Sequence, residues 1–244
     1  MSKPYIWAHR GADAYAPENT LEAFAMAAQM GADGVELDVQ LTKDGQIVVC
    51  HDERIDRTSN GKGWLKDFTL EELKKLDFSG GNKRYSGVQI PTLEEVLDHL
   101  QNTGMLVNIE LKTQTIPYPA LVRKCIELIR AKGYTDRIIF SSFNHLSLQK
   151  VRFFAPEIPI GYLYLRATPA VIPIAGRHGA NAMHLSWHNL QKPGILEACI
   201  ENGQQINVWT VNKEEEMRFC MEHGVNAVIT DCPDRIREIR ERLQ

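Results

Sequence analysis

The sequence predicts an α/β protein built as a closed (β/α)8 barrel, a TIM barrel, with a small insertion after the second strand. Three observations lead there. Eight short apolar, β-branched runs alternate with helical patterns along nearly the whole chain, which indicates a parallel sheet, and eight strands is a number that closes a barrel. Several helical patterns end in glycine, the residue favoured just past a helix C-terminus. The length of 244 residues suits one α/β barrel, which commonly uses ~200–250 residues as a single domain. A doubly wound open sheet is the weaker alternative, because no GxGxxG follows the first run.

In chain order the strands are expected in "YIWAHR", "GVELDVQL", "LVNIELK", "RIIFSSF", "IPIGYLYL", "AMHLSW", "QINVWTV" and "AVITD". The helices are expected in "TLEAFAMAAQM", "TLEEVLDHLQN", "PALVRKCIELIRAKG", "LSLQKVRFFA", "KPGILEACIENG", "KEEEMRFCMEHG" and the terminal "CPDRIREIRERLQ", with Asp231 as its cap before Pro233. In "PENT", Asn19 reads as the cap of the first helix and Glu22 completes a capping-box spacing, while Glu18 has no assigned role. One segment breaks the rhythm: "QIVVCHD" offers an extra strand, joined through "KDG" as a hairpin. It leads into residues 52–91, with a short capped helix in "FTLEELKKL" and the aromatics Trp64, Phe68 and Phe78. Long excursions from a compact domain are usually functional or disordered, and this one reads as an ordered insertion over one barrel rim. The chain, 1–244, is therefore expected to be one catalytic barrel domain with an inserted segment at about 52–91.

Composition narrows the function. The chain is 43% hydrophobic and 24% charged with a net charge of −3, and no clustered positive footprint marks it for nucleic acid. No apolar run approaches the roughly 20 residues of a membrane span. The opening "MSKPYIWAHRG" has no charged and hydrophobic leader pattern. The five cysteines (Cys50, Cys125, Cys199, Cys220 and Cys232) are scattered and form no CxxC pair, as expected of buried reduced thiols in a cytoplasmic protein.

Side chains alternate across a strand. Glu36, Asp38 and Gln40 therefore share one face of "GVELDVQL", opposite Val35, Leu37, Val39 and Leu41. In "LVNIELK", Asn108, Glu110 and Lys112 oppose Val107, Ile109 and Leu111. The apolar sets suit packing under helices, which sends the polar sets into the barrel lumen. Residues two apart on a strand lie about 6–7 Å apart, near enough for Glu36, Asp38 and Glu110 to share one ion. Such an all-oxygen set suits a divalent metal such as Mg²⁺ or Ca²⁺. The competing account is a buried ion-pair network of these acids with Arg10 and Lys112, a costly arrangement of doubtful net stabilisation. His9 and Arg10 end the first strand, and His51 follows "IVVC". Two imidazoles, an arginine and a lysine around a metal are the parts needed to hydrolyse a phosphate ester.

"AHRGADAYAPENTLEAF", "GADGVELDVQLTKDGQIVVCHD", "DRTSNGKG" and "NIELK", continued by "FSSFN", "VWTVN" and "GVNAVITDCP", strongly resemble the glycerophosphodiester phosphodiesterase family of bacterial cytoplasmic type. The resemblance covers nearly the whole chain. It implies a barrel with an insertion after the second strand and hydrolysis of a small-molecule glycerophosphodiester to glycerol 3-phosphate and an alcohol. It further implies Glu36, Asp38 and Glu110 as metal ligands, His9 and His51 as the acid/base pair, and Arg10 and Lys112 as phosphate binders. Trp209 is a candidate substrate contact and equally a candidate packing residue. His184, Ser186 and Ser142 are placed in the lumen without a role. Two alternatives stand beside this: a lysophospholipase D-like activity, against which the polar "SGGNKRYSG" argues, and a non-catalytic phosphate-binding barrel, which would lack one of the acids or histidines.

Overall fold

The computed structural model describes residues 3–243. Met1 and Ser2 of the opening segment and Gln244 of the expected last helix lie outside the described residues. Eight parallel strands close into a barrel: β1 (Tyr5–His9), β2 (Gly34–Leu41), β4 (Leu106–Leu111), β5 (Ile138–Ser142), β6 (Ile160–Tyr164), β7 (Ala182–Ser186), β8 (Gln205–Trp209) and β9 (Ala227–Thr230), with β9 returning to β1. The expected hairpin strand is β3 (Ile47–Val49), antiparallel to β2. β1 pairs with β2 only as far as Glu36, and β3 takes over that edge from Val39. This handover brings the residues after β3, His51 and Asp52, back over the acids of β2.

The helices are α1 (Leu21–Gln29), α2 (Leu70–Leu73), α3 (Leu93–Leu100), α4 (Leu121–Ala131), α5 (His145–Phe154), α6 (Val171–Arg177), α7 (Trp187–Leu190), α8 (Ile195–Glu201), α9 (Glu214–Glu222) and α10 (Pro233–Arg242). Two of them were not expected from the sequence. In α6, "VIPIAGR" carries a proline and a glycine that mask the helical pattern; Pro173 lies in the first turn, where its missing N–H has no partner to lose. The single turn of α7 is too short to show a period.

The outward strand faces carry the main core. Val35, Leu37, Val39, Val107 and Ile109 are buried with Phe24, Leu97 and Leu100 from the helices. Each such side chain contributes roughly 1.5–3 kcal/mol when fully buried. The barrel floor is closed by a separate small cluster of Trp7, Ile139, Ala182, Ala227 and Ile229. The segment after β3 has its own core, in which Leu65, Leu73 and Phe78 pack on Val48, Ile55 and Ile90. Its α2 is held by a Thr69–Glu72 capping box. All five cysteines are buried and free. Among the described residues no helix is long and apolar enough to cross a membrane.

Candidate active site

The C-terminal ends of β1, β2 and β4 meet at the mouth of the lumen, the face on which barrel enzymes place their chemistry. His9, Arg10, Glu36, His51 and Glu110 line one cavity of about 200 Å³ there. One carboxylate oxygen from each of Glu36, Asp38 and Glu110 lies within 4.8 Å of the others, and all three residues are buried. Lys112, just past β4, donates to Glu110 Oε1 at 3.0 Å and stands 3.8 Å from Asp38 Oδ1.

The electrostatics of the trio are unbalanced. Burial, with Asp38 beside it, pushes the Glu36 carboxyl up to about 8. Burial and the same neighbour raise Glu110 as well, against the pull of Lys112. Burial would also raise Asp38, but Lys112, Arg10, His51 and a hydrogen bond from Asn19 together hold it down, at about 2. The ion-pair network weighed against a metal accounts for part of this arrangement. Arg10 Nε approaches Asp38 Oδ2 at 3.5 Å, and Lys112 serves Asp38 and Glu110. Among the described residues, however, no Lys or Arg side chain pairs with Glu36, which accepts only the Arg10 backbone N–H at 3.1 Å. Asp38 Oδ1 is buried without a hydrogen-bond partner. An orphaned carboxylate oxygen inside an all-oxygen cluster fits a hard divalent cation.

Each candidate histidine is backed by an aspartate. His9 Nδ1 lies 2.7 Å from Asp231 Oδ1, and Asp231 Oδ2 accepts from Asn212 Nδ2 at 2.7 Å. His51 Nδ1 lies 2.6 Å from Asp52 Oδ1, and Asp52 Oδ2 accepts from Arg57 Nε at 2.7 Å. With Nδ1–H donating to a carboxylate, each ring is fixed in orientation and its Nε2 is left for the cavity. Burial would lower the His9 imidazole, but the Asp231 hydrogen bond and the charge of Glu36 raise it above its ordinary value. Asp52 would be raised by burial, yet Arg57 and His51 hold it down, at about 2.

Two sequence expectations are corrected here. Asp231 does not cap α10: the N-cap position is Cys232, with no side-chain cap and Pro233 in the first turn. Its carboxylate is instead spent on His9. Asn19 does not cap α1 either, and Glu22 completes no capping box; the cap is Thr20, whose Oγ1 accepts from the Ala23 N–H. Asn19 sits in the left-handed region (φ 58°), and its Nδ2 donates to Asp38 Oδ2 at 2.9 Å. Asparagine tolerates that conformation better than most residues. Glu18 also acquires a place: it accepts from Arg10 Nη1 at 2.9 Å and from Arg57.

Trp209 lines the cavity and meets Phe143 edge to face at 6.0 Å between ring centroids. His184 lines it too, as expected. Ser142 and Ser186 do not: Ser142 Oγ donates to the Leu111 carbonyl and Ser186 caps α7. Ser141, one residue along β5 and therefore on the inward face, lines the cavity instead. Among the described residues, those lining the cavity come from outside 52–91. That segment reaches the site through Asp52 and Arg57.

Comparison with known proteins places this arrangement. Residues 9–235 match the model of the glycerophosphoryl diester phosphodiesterase family. A glycerophosphodiester phosphodiesterase of Caldanaerobacter subterraneus subsp. tengcongensis is 44% identical over 235 residues, covering 96% of each chain. The crystal structure of a glycerophosphodiester phosphodiesterase from Agrobacterium tumefaciens superposes with a TM-score of 0.84 at 31% identity, covering 96% of this chain and 99% of that one. The structure of an Oleispira antarctica phosphodiesterase in complex with the product sn-glycerol-3-phosphate superposes with a TM-score of 0.90 at 30% identity, covering 98% of this chain and 97% of that one. A barrel of this form, matched from its first strand to its last helix, belongs to the glycerophosphodiester phosphodiesterase family.

Proposed function

We propose that the enzyme hydrolyses small glycerophosphodiesters, such as glycerophosphocholine and glycerophosphoethanolamine, to glycerol 3-phosphate and the free alcohol. Glu36, Asp38 and Glu110 would hold a divalent cation, Mg²⁺ or Ca²⁺. The observation that carries the reading is the buried carboxylate trio, of which Glu36 and Glu110 share one cavity with two histidines, each backed by an aspartate. The bound ion would stabilise negative charge on the phosphoryl oxygens. Arg10 and Lys112, beside the trio, orient the phosphodiester. One histidine takes a proton from the nucleophile, either water or the substrate's own 2-hydroxyl, in which case water then opens the resulting cyclic phosphate to glycerol 3-phosphate. The other delivers a proton to the alkoxide as its bond to phosphorus breaks. Asp231 and Asp52 keep the two rings in the tautomer that presents Nε2. Trp209 flanks the bound substrate. The product bound to the Oleispira antarctica relative is the product expected here.

We further read residues 1–244 as a single catalytic domain carrying an insertion at about 52–91. A cytoplasmic location is consistent with five buried free thiols.

The direct test is a product assay on glycerophosphocholine, glycerophosphoethanolamine and a lysophosphatidylcholine, each with and without Mg²⁺ or Ca²⁺. Release of glycerol 3-phosphate from the first two, dependent on the ion, is the expected result. Release of phosphocholine would mean that the other ester bond is cut and would overturn the reading. The lysolipid is included because Phe143, Leu163 and Leu165 make one side of the cavity apolar.

The insertion is tested at Arg57, which joins Glu18, the partner of Arg10, to Asp52, the partner of His51. Deleting residues 60–80 would strip the cover from Val48 and Ile90, so a point change is cleaner. Arg57→Ala should lower kcat/KM about tenfold by loosening both ends of the site. An exposed ion pair contributes only ~0.2–1 kcal/mol to stability, so the melting temperature should barely move. Unchanged kinetics in a folded variant would reduce the segment to scaffolding.

A further inference from the structure

Beside Glu36 and Glu110 the lumen wall also carries polar, uncharged side chains. Asn108 lies opposite Glu36 in the β2–β4 register, and Ser141 lies opposite Glu110 across β4 and β5. Asn108, Ser141 and His184 are 2%, 0% and 0% exposed, and all three line the cavity. Each nevertheless has a buried polar atom without a partner: Asn108 Oδ1, Ser141 Oγ and His184 Nδ1. Buried polar atoms in native proteins are almost always paired, so three orphans at one floor mark a place where something else binds.

The tautomer of His184 identifies what that is. Asn226 Nδ2 donates to Asn207 Oδ1 at 3.1 Å, which leaves Asn207 Nδ2 to donate to His184 Nε2 at 2.9 Å. Nε2 therefore carries the lone pair and Nδ1 the proton. Burial keeps this imidazole neutral, with its pKa down at about 3. Gly161 makes room for the ring: a Cβ there would sit 2.1 Å from His184 Nε2, the close approach that an interior strand glycine permits. The floor thus offers a fixed donor at His184, an acceptor at Asn108 and a hydroxyl at Ser141 that can do either. A quaternary ammonium can use none of these, a primary ammonium cannot accept from His184, and a carboxylate cannot donate to Asn108. An alcohol hydroxyl can do both. These atoms face the same cavity, of about 200 Å³, that Glu36 and Glu110 line.

We infer that Asn108, Ser141 and His184 form a neutral hydrogen-bonding floor that takes the hydroxyl end of the substrate's glycerol and selects a polyol over an alkyl group at that end. The inference rests on the proposed glycerophosphodiester substrate and adds the residues that recognise its glycerol half. Sites built to bond a substrate hydroxyl reject the analogue lacking it strongly, because their own buried groups are left unpaired.

The test compares glycerophosphocholine with 1,2-propanediol 1-phosphocholine, which keeps the 2-hydroxyl and lacks the terminal one. The wild-type enzyme should favour the glycerol compound by ~10²-fold or more in kcat/KM. Ser141→Ala and Asn108→Ala should each lose about tenfold on the glycerol compound and less than twofold on its analogue. Calorimetry of wild-type enzyme with glycerol 3-phosphate and with 1,2-propanediol 1-phosphate gives a readout independent of turnover and of variant folding, and the first should bind at least tenfold more tightly. Equal use of both diesters by the wild-type enzyme, or equal losses on both in the variants, would overturn the floor and leave it as a site for solvent. Failure of the wild-type enzyme to release glycerol 3-phosphate from either glycerophosphodiester would instead overturn the substrate reading, and the floor with it.

Discussion

Exchanging Asp38 for Asn is expected to slow hydrolysis of glycerophosphocholine by about 10³-fold, since a metal's stabilisation of a phosphoryl transition state amounts to several kcal/mol and each 1.4 kcal/mol is tenfold. Asp38 is the right member to test. Its Oδ2 accepts from Asn19 while its Oδ1 is buried without a hydrogen bond, 3.8 Å from Lys112, so the change keeps the shape and removes the charge. Chelation of the wild-type enzyme should abolish turnover to a similar degree, and Mg²⁺ or Ca²⁺ should restore it. A second readout separates ion binding from chemistry. A ligand that binds only the folded state stabilises it by mass action, so the chelated wild-type protein should melt higher as the ion is added back. Asp38→Asn should show little such response. Burial, with Asp38 and Glu110 beside it, pushes Glu36 up to about 8 against the pull of His9 and Arg10, so an added cation would favour its charged form. Activity retained within tenfold in Asp38→Asn, or undiminished by exhaustive chelation, would return the trio to the ion-pair network with Arg10 and Lys112.

Much of this site was legible in the sequence, and the residues that escaped share a physical reason. Strand alternation in "GVELDVQL" and "LVNIELK" was enough to send Glu36, Asp38 and Glu110 to one interior, because apolar and polar faces separate cleanly there. Periodicity carries no information about where a polar side chain at the end of an element will turn. Asp231 stands before a proline, a proper place for a helix cap, yet its partner His9 is 222 positions away. Asn19 stands one residue before the true cap, and its left-handed backbone turns its amide toward Asp38. The dipeptide His51-Asp52 lay in plain view, but nothing local says that the aspartate folds back on its neighbour until Arg57 fixes its other oxygen. Ser142 and Ser141 differ by one position, and a strand inverts its faces at every residue. The sequence signal that could have found the floor is Gly161, an isolated glycine inside an apolar strand, which marks close approach of another group.

The division of labour between the histidines is expected to appear as a difference between leaving groups. Choline and ethanolamine depart as strongly basic alkoxides unless they are protonated in the transition state, and a general acid contributes about 10²–10⁴-fold to such a step. A nitrophenol departs without that help. His9→Ala and His51→Ala, each assayed on glycerophosphocholine and on the nitrophenyl ester of glycerol 3-phosphate, should therefore diverge. The variant lacking the acid should lose ~10²-fold or more on glycerophosphocholine and far less on the nitrophenyl ester. The variant lacking the base should lose comparably on both, because the nucleophile is the same. The backing carboxylates give each assignment a control: Asp231→Asn should reproduce the pattern of His9→Ala, and Asp52→Asn that of His51→Ala, since an amide no longer fixes the ring in the tautomer that presents Nε2. The control discriminates beside the acid: Asp231 also bonds Asn212, and Asp52 also bonds Arg57, so a merely structural aspartate there would lower both substrates alike instead of sparing the nitrophenyl ester. Equal losses for both histidine variants on both substrates would show that neither is a dedicated leaving-group acid.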